Sequence, residues 1–349
     1  MGMIKQVLLT DLREHPAVKA WAQLHPERGE PTAISRLQKK AKGQVYRLEG
    51  VGPGGAAVIA KRSFPDRIRG ERAVYEGILP GLPVPAVRYL GAVEEPDGTG
   101  GWLFLEDAGE GRYSPVLPAH RDLAGRWLAL LHTSAARLAG TAHLPDRGPG
   151  YYLGHLQSAR ATILAYRTNP ALTAEDVAVL AAVVRRCEAL ASRWGEVERW
   201  CAGMPRTFIH GDFAPKNMRV RARPAGSVLL PFDWGSAGWG VPAADLVQAA
   251  EPSDRGTGLD LSGYWASPDL AAYCSGVRES GWRLDIQNLW PLAAVGKIFR
   301  CLVCINLDAQ SLATDWVADA ARKMRVYEAE TADAIRAAGW QGPGEGPVR

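Results

Sequence analysis

The chain is 349 residues long, with 41 Lys and Arg against 37 Asp and Glu, a formal charge of +4. Apolar residues make up 47% and charged residues 22%, a globular balance that excludes wholesale disorder. Residues 1–107 carry 15 basic and 13 acidic groups and residues 108–349 carry 26 and 24, so neither part has the basic excess of a nucleic-acid-binding domain. At about 150 residues per domain the length predicts two lobes. No apolar stretch approaches the roughly 18 residues of a membrane span, and the start Met1-Gly2-Met3-Ile4-Lys5 leads into polar sequence, so neither signal peptide nor membrane partner is expected. Five cysteines are too few and odd in number for a disulfide framework, which fits a reducing cytoplasm.

In chain order, Asp11-Leu-Arg-Glu14 resembles a capping box and predicts an amphipathic helix to about Leu24. Gln44–Leu48 alternates, Gly50–Gly55 breaks the alternation, and Ala56–Ala60 resumes as an apolar run ending at Lys61. This predicts a hairpin. Glu71–Leu79 reads as a helix stopped by Pro80–Pro85, followed by strands at Ala86–Val93 and Trp102–Leu105. Beyond Gly109 the pattern is helical. Leu123, Trp127, Leu130 and Leu131 share a face, and Thr173–Asp176 opens a helix with Val177, Leu180, Val184 and Cys187 in phase. A short β insert covers Thr207–Ile209 and Val228–Phe232. Helices follow at Pro268–Glu279, Leu289–Leu312 and Thr314–Ala338, and Gly339–Arg349 is expected to fray. Cys301-Leu-Val-Cys304 has a metal-site spacing, but it lies in an apolar helical run and reads as two core residues.

Three elements carry chemistry. Lys61 ends the strand Val58–Lys61. His210-Gly-Asp-Phe-Ala-Pro-Lys-Asn217 sets Asp212 five residues before Asn217. Asp233-Trp-Gly235 follows an apolar strand. Phosphoryl transfer from a nucleoside triphosphate needs such a set: a cation on the polyphosphate, oxygen ligands for Mg²⁺, and a carboxylate to orient the attacking hydroxyl. The step from Asp212 to Asn217 is that of the protein-kinase H-R-D-x-x-x-x-N loop.

With Gly211 in place of that arginine, Asp-Trp-Gly in place of Asp-Phe-Gly, and the run Ala237–Leu246, the sequence resembles the aminoglycoside phosphotransferase and choline kinase family from about residue 34 to 335. The resemblance implies an α+β, two-lobed protein-kinase-like fold: a small β-sheet lobe with one helix and a larger, mainly helical lobe. It implies a nucleotide-binding lobe at 1–107 (1–33 a helical extension), a catalytic and substrate-binding lobe at 108–338, and a tail at 339–349, with ATP in the cleft. Asp212 then resembles the catalytic base, and Asn217 and Asp233 the magnesium ligands. Lys61 resembles the lysine on the α- and β-phosphates and Glu71 its helix partner, while backbone groups of Glu106 and Ala108 resemble the adenine hinge. Departures are the missing G-x-G-x-x-G loop, for which Lys39–Gly43 is the expected cover, Val241 where many relatives have Asp, and Ala214 in place of a protein-kinase lysine.

The expected reaction is ATP- and Mg²⁺-dependent phosphorylation of a small-molecule hydroxyl, with an aminoglycoside or related antibiotic as the leading acceptor. The alternatives are a metabolic kinase for an amino alcohol, sugar or amino sugar, and an inactive nucleotide-binding regulator. Residues 245–319 hold ten acidic and five basic groups, which favours a cationic acceptor. His210 reads as structural, Asp245 as a holder of backbone amides near the catalytic loop, and His132 as a packing or surface group.

Overall fold

The computed structural model describes residues 5–7, 12–40, 43–138, 144–249, 264–314 and 317–340. The chain forms two compact units, one of residues 1–112 with 217–235 and one of 113–216 with 236–349. The division therefore falls at residue 112, and a later stretch of chain returns to the first unit, where the sequence predicts a single break at 107.

The first unit holds a six-stranded antiparallel sheet ordered β1-β2-β3-β4-β6-β5. Its strands are β1 (Lys5–Val7), β2 (Ile34–Lys40), β3 (Gly43–Leu48), β4 (Val58–Ser63), β5 (Tyr89–Glu94) and β6 (Gly101–Glu106). Helix α1 (Pro16–Leu24) packs Ala17, Val18, Ala20 and Trp21 onto Tyr46, Leu48, Val58, Ala60, Trp102 and Phe104. Side chains alternate along a strand, so the residues between these point to the other face. There α2 (Pro65–Ala73) sets Ile68 over Gly101. A π-helical turn, Val74–Ile78, continues α2. The hairpin β9 (Met218–Arg221) and β10 (Val228–Pro231) also belongs to this unit, as the bridge between Arg112 and Arg219 shows.

The second unit is mainly helical: α3 (Pro118–Ala135), α4 (Pro149–Tyr166), α5 (Ala174–Ser192), α6 (Trp194–Ala202), α7 (Leu270–Glu279), α8 (Ile286–Ala309) and α9 (Val317–Ala337). Helix α8 is the apolar spine, buried through Leu289, Leu292, Val295, Ile298, Phe299 and Leu302. A three-stranded sheet of β7 (Asp146–Arg147), β11 (Gly238–Gly240) and β8 (Thr207–Ile209) carries the segment after Ile209.

Several boundaries differ from expectation for local reasons. Helix α1 starts at Pro16, because proline suits the first turn and the His15 ring caps it by accepting the Ala17 N–H at 3.2 Å; Asp11 lies outside the described residues. Lys61 is the fourth of six residues in β4, not its end. The glutamate helix starts at Pro65, six residues earlier than Glu71. On α3, Leu130 is exposed, and the buried face runs through Ala124, Trp127, Leu128 and Leu131. Thr173 and Asp176 do form a reciprocal capping box at the start of α5. The expected phosphate cover at Lys39–Gly43 falls largely on side chains and residues outside those described, as does the tail from residue 341. No described helix is long and apolar enough to cross a membrane.

Candidate active site

The candidate residues form two clusters, one in each unit. In the first unit, β4 projects Lys61 to the face that α2 covers. Its ammonium contacts the Glu71 carboxylate and lies 2.6 Å from Asp233 Oδ1. Glu71 is 1% exposed, Lys61 20% and Asp233 45%. Burial alone would lower the Lys61 pKa, but the two carboxylates outweigh it and raise it above the ordinary value. The Glu71 carboxyl is raised by its complete burial, with the Asp233 charge adding to that and Lys61 opposing it. The cluster is thus a cation held between a dry carboxylate and a wet one.

Asp233 has φ +68°, a left-handed conformation that costs a side-chain-bearing residue of order 1 kcal/mol or more. Met218 pairs with Pro231, and the Asn217 carbonyl accepts the Phe232 N–H at 3.0 Å, so the hairpin sets Asn217 opposite Phe232, the residue before Asp233. An amide oxygen and a partly exposed carboxylate are hard oxygen donors of the kind Mg²⁺ takes, usually with water and phosphate completing the shell. The residues therefore fit the metal. Among the described residues there is no cluster of three or more His, Cys, Asp or Glu suited to a metal.

Glu106 and Ala108 follow at the end of β6. The Glu106 N–H is already used by Arg88 O at 2.9 Å. Arg221 of β9 braces this segment, pairing with Glu106 Oε1 at 3.3 Å and donating to Asp107 O at 2.8 Å.

In the second unit, Asp212 sits in a loop fixed by a buried carboxylate. Asp245 Oδ2 accepts the His210 N–H at 2.7 Å, and Oδ1 accepts the Gly211 N–H at 2.8 Å. Gly211 has φ +74°, and a Cβ there would fall on the Ser236 carbonyl oxygen. The position admits only glycine, which accounts for glycine where protein kinases carry arginine. His210 is fully buried, and its Nδ1 accepts the Asp212 N–H at 3.3 Å. His132 is not a surface group but a packed one, its ring edge-on to Tyr273 with centroids 5.7 Å apart. It too is fully buried, its Nε2 3.3 Å from Asp245 Oδ2 and its Nδ1 3.0 Å from the Tyr273 hydroxyl.

Two cations hold the Asp212 carboxylate. Arg300 of α8 pairs with Oδ1, and Lys216 Nζ lies 3.2 Å from Oδ2. Burial would raise the Asp212 pKa, but Arg300, Lys216 and His210 together bring it below the ordinary carboxylate value. The carboxylate therefore stays ionised at neutral pH, suited to orienting a hydroxyl. Sequence reasoning missed Arg300. Its signal was available, since Lys297 and Arg300 are the only charges between Leu289 and Ile305. The Cys301 and Cys304 thiols are buried and unpaired, with Cys301 pushed up by burial to about 12, as the core reading expects.

A family model described as the phosphotransferase enzyme family matches residues 33–283. The chain belongs to the phosphotransferase enzyme family. Solved structures share the kinase-like, two-lobed α+β fold of that family at low identity. The GDP complex of a variant aminoglycoside 2′-phosphotransferase is 14% identical, with TM-score 0.59, over 90% of this chain and 96% of that one. Choline kinase from Cryptosporidium parvum Iowa II is 11% identical, with TM-score 0.57, over 87% and 90%. A microcompartment-associated aminopropanol kinase is 15% identical, with TM-score 0.58, over 92% and 98%. No curated protein matches the sequence. Family membership makes the chain a small-molecule phosphotransferase.

Proposed function

We propose that this phosphotransferase uses ATP and Mg²⁺ to phosphorylate a hydroxyl of a small molecule in the cytoplasm. The observation that carries the reading is the three-residue cluster of Lys61, Glu71 and Asp233, in which a lysine is held ready by one buried carboxylate and one exposed one. In this reading Lys61 leaves Asp233 to neutralise the α- and β-phosphates, while Glu71 keeps its ammonium aimed. Asn217 and Asp233 hold Mg²⁺, whose chemistry is to offset charge on the phosphate oxygens. Backbone groups at Glu106 and Ala108 take the adenine; with the Glu106 N–H already used, its carbonyl and the Ala108 groups are what remain for the base. Asp212 orients the acceptor hydroxyl and takes its proton late, because the transition state is loose. The low pKa of Asp212 supports orientation over early proton removal.

The aminoglycoside 2′-phosphotransferase, choline kinase and aminopropanol kinase are named for acceptors that carry amine or quaternary ammonium groups. An aminoglycoside is one acceptor class to test, and a metabolic alcohol or sugar is the other. The deciding experiment is ADP release from ATP, with GTP in parallel, across a hydroxyl-compound library, for wild type and Asp212→Asn. Acceptor-stimulated release in the wild type and its loss in Asp212→Asn is the expected result. Absence of release with every acceptor would favour a nucleotide-binding regulator. A resistance panel in a susceptible host separates the antibiotic from the metabolic reading.

A further inference from the structure

Helix α1 does not cover its face of the six-stranded sheet to the end. The register sets Gln44 of β3 opposite Arg62 of β4, and Arg62 opposite Trp102 of β6, so these three side chains form one row across the sheet. The next row, Tyr46, Ala60 and Phe104, packs under α1. Where α1 begins, a cavity of about 560 Å³ opens between its first turn, the outer row and the turn after β5. That volume is in the range of small-molecule sites. Side chains alternate along β4, so Arg62 faces this cavity while Lys61 faces α2 on the other side of the sheet. The cavity is therefore distinct from the lysine cluster.

Three hydrogen-bond donors on its lining are uncommitted among the described residues. His15 is 7% exposed. Its Nδ1 accepts the Ala17 N–H, which leaves the ring proton on Nε2. That Nε2–H has no partner, yet the atom is not sealed from solvent. Gln44 spends its carbonyl on the Tyr46 hydroxyl at 2.7 Å and keeps its amide hydrogens. Arg62 gives Nε and Nη2 to Glu95 and keeps Nη1. The acceptors, by contrast, are largely spent. Glu95 takes Arg62, the Trp102 indole N–H at 3.0 Å and the Thr99 hydroxyl at 3.4 Å. Asp97 Oδ1 takes the Thr99 N–H and hydroxyl. A Cβ at Gly100 would strike both Glu95 and Arg62, so glycine there lets that pair close.

The rest of the lining is rings and prolines. Tyr46 meets His15 edge-on with centroids 4.5 Å apart, and its centroid lies 6.2 Å from that of Trp102. Charge then separates the ligand classes. Arg62 is balanced by Glu95, and burial lowers the His15 pKa, so that ring is neutral at pH 7. Asp97, exposed, adds a negative charge beside Arg62. A carboxylate would meet Asp97 and find its arginine already paired. An ammonium would face three donors. A sugar needs more hydrogen-bonding partners than this apolar lining supplies.

We propose that this cavity is a binding site for an uncharged planar heterocycle bearing ring-nitrogen or carbonyl acceptors: the ring lies against Tyr46 and Trp102, and its acceptors take hydrogens from His15, Gln44 and Arg62. Such a ligand meets donors that are otherwise left to water and buries its flat faces on carbon. The site stands apart from the phosphotransferase reading and does not depend on it.

The test is calorimetric titration of the full-length chain, with Mg²⁺ and a non-hydrolysable ATP analogue present throughout so that a nucleotide site is filled. Caffeine, nicotinamide and uracil are the acceptor-bearing probes. Indole, flat but without a ring acceptor, benzoate and benzylamine are the controls. At least one acceptor-bearing probe should bind one to one, and every control should bind at least about tenfold more weakly, the worth of one well-made hydrogen bond. His15→Asn keeps a good N-cap and removes the ring N–H, and Gln44→Leu removes the amide. Each should weaken the bound probe by about tenfold, with the melting temperature held. Failure of all three probes to bind at millimolar concentration overturns the proposal. So does a control that binds as well as the best probe, or probe binding that both variants leave intact. None of these results bears on ADP release, so the phosphotransferase reading stands or falls separately.

Discussion

The Gly211 N–H donates to Asp245 Oδ1 at 2.8 Å, and the carboxylate that receives it lies 1% exposed. One interior acid thus shapes the turn on which Asp212 is displayed. Gly211→Ala adds a methyl group against Ser236 O at a left-handed backbone position. Loss of about 1–3 kcal/mol is expected from backbone strain, read as a lower melting temperature, with catalysis falling further than stability. Unchanged melting and turnover would show that the loop relaxes without cost.

Lys61→Met should weaken nucleotide binding and also destabilise the fold, because Glu71 is then buried without its cation. Such losses run to about 3 kcal/mol. Adding Glu71→Gln should restore most of the melting temperature and none of the nucleotide affinity. Calorimetric melting and nucleotide titration of the two variants separate the two effects.

Asp233→Asn keeps the size of the side chain and removes the charge. The metal concentration giving half-maximal activity should rise by at least the roughly 10- to 100-fold seen when a supporting group is lost from a metal site. An unchanged magnesium titration would remove Asp233 from the proposed ligand set.

Asp212→Asn should lower kcat by about 10³-fold, leaving nucleotide affinity in place. It should also alter the response to acid. The folded pKa of Asp212 lies below its unfolded value, so its ionised form adds stability above the unfolded pKa, and that contribution is lost as pH falls through the folded value. With the unfolded value near 3.9, the wild type should lose stability below about pH 4, and Asp212→Asn should lose less over the same interval. Urea midpoints at pH 7 and pH 3 report the difference.

Much of this was legible in the sequence because it is local. The spacing from Asp212 to Asn217 and the alternation of Gln44–Leu48 are readable without a fold, as is the capping box at Thr173. The partners of His132 were not. They come from residues 113 and 141 positions away, Asp245 and Tyr273, and no periodicity reports such a meeting. Arg300 was hidden for the same reason, its role set by where α8 packs. The start of α1 at Pro16 was not legible, because its cap is a histidine ring, an unusual one, accepting the Ala17 N–H.

The return of residues 217–235 to the first unit has a consequence for biosynthesis. Asp233 completes the lysine cluster, and Arg219 and Arg221 bond back to the segment Glu106–Arg112. A nascent chain released from the ribosome only as far as residue 112 lacks these parts, so the smaller unit reaches its final form only after the 113–216 part of the larger one has already been translated. A fragment ending at 112 should therefore be a poor stand-in for that unit, and a ribosome stalled before residue 235 should present it unfinished.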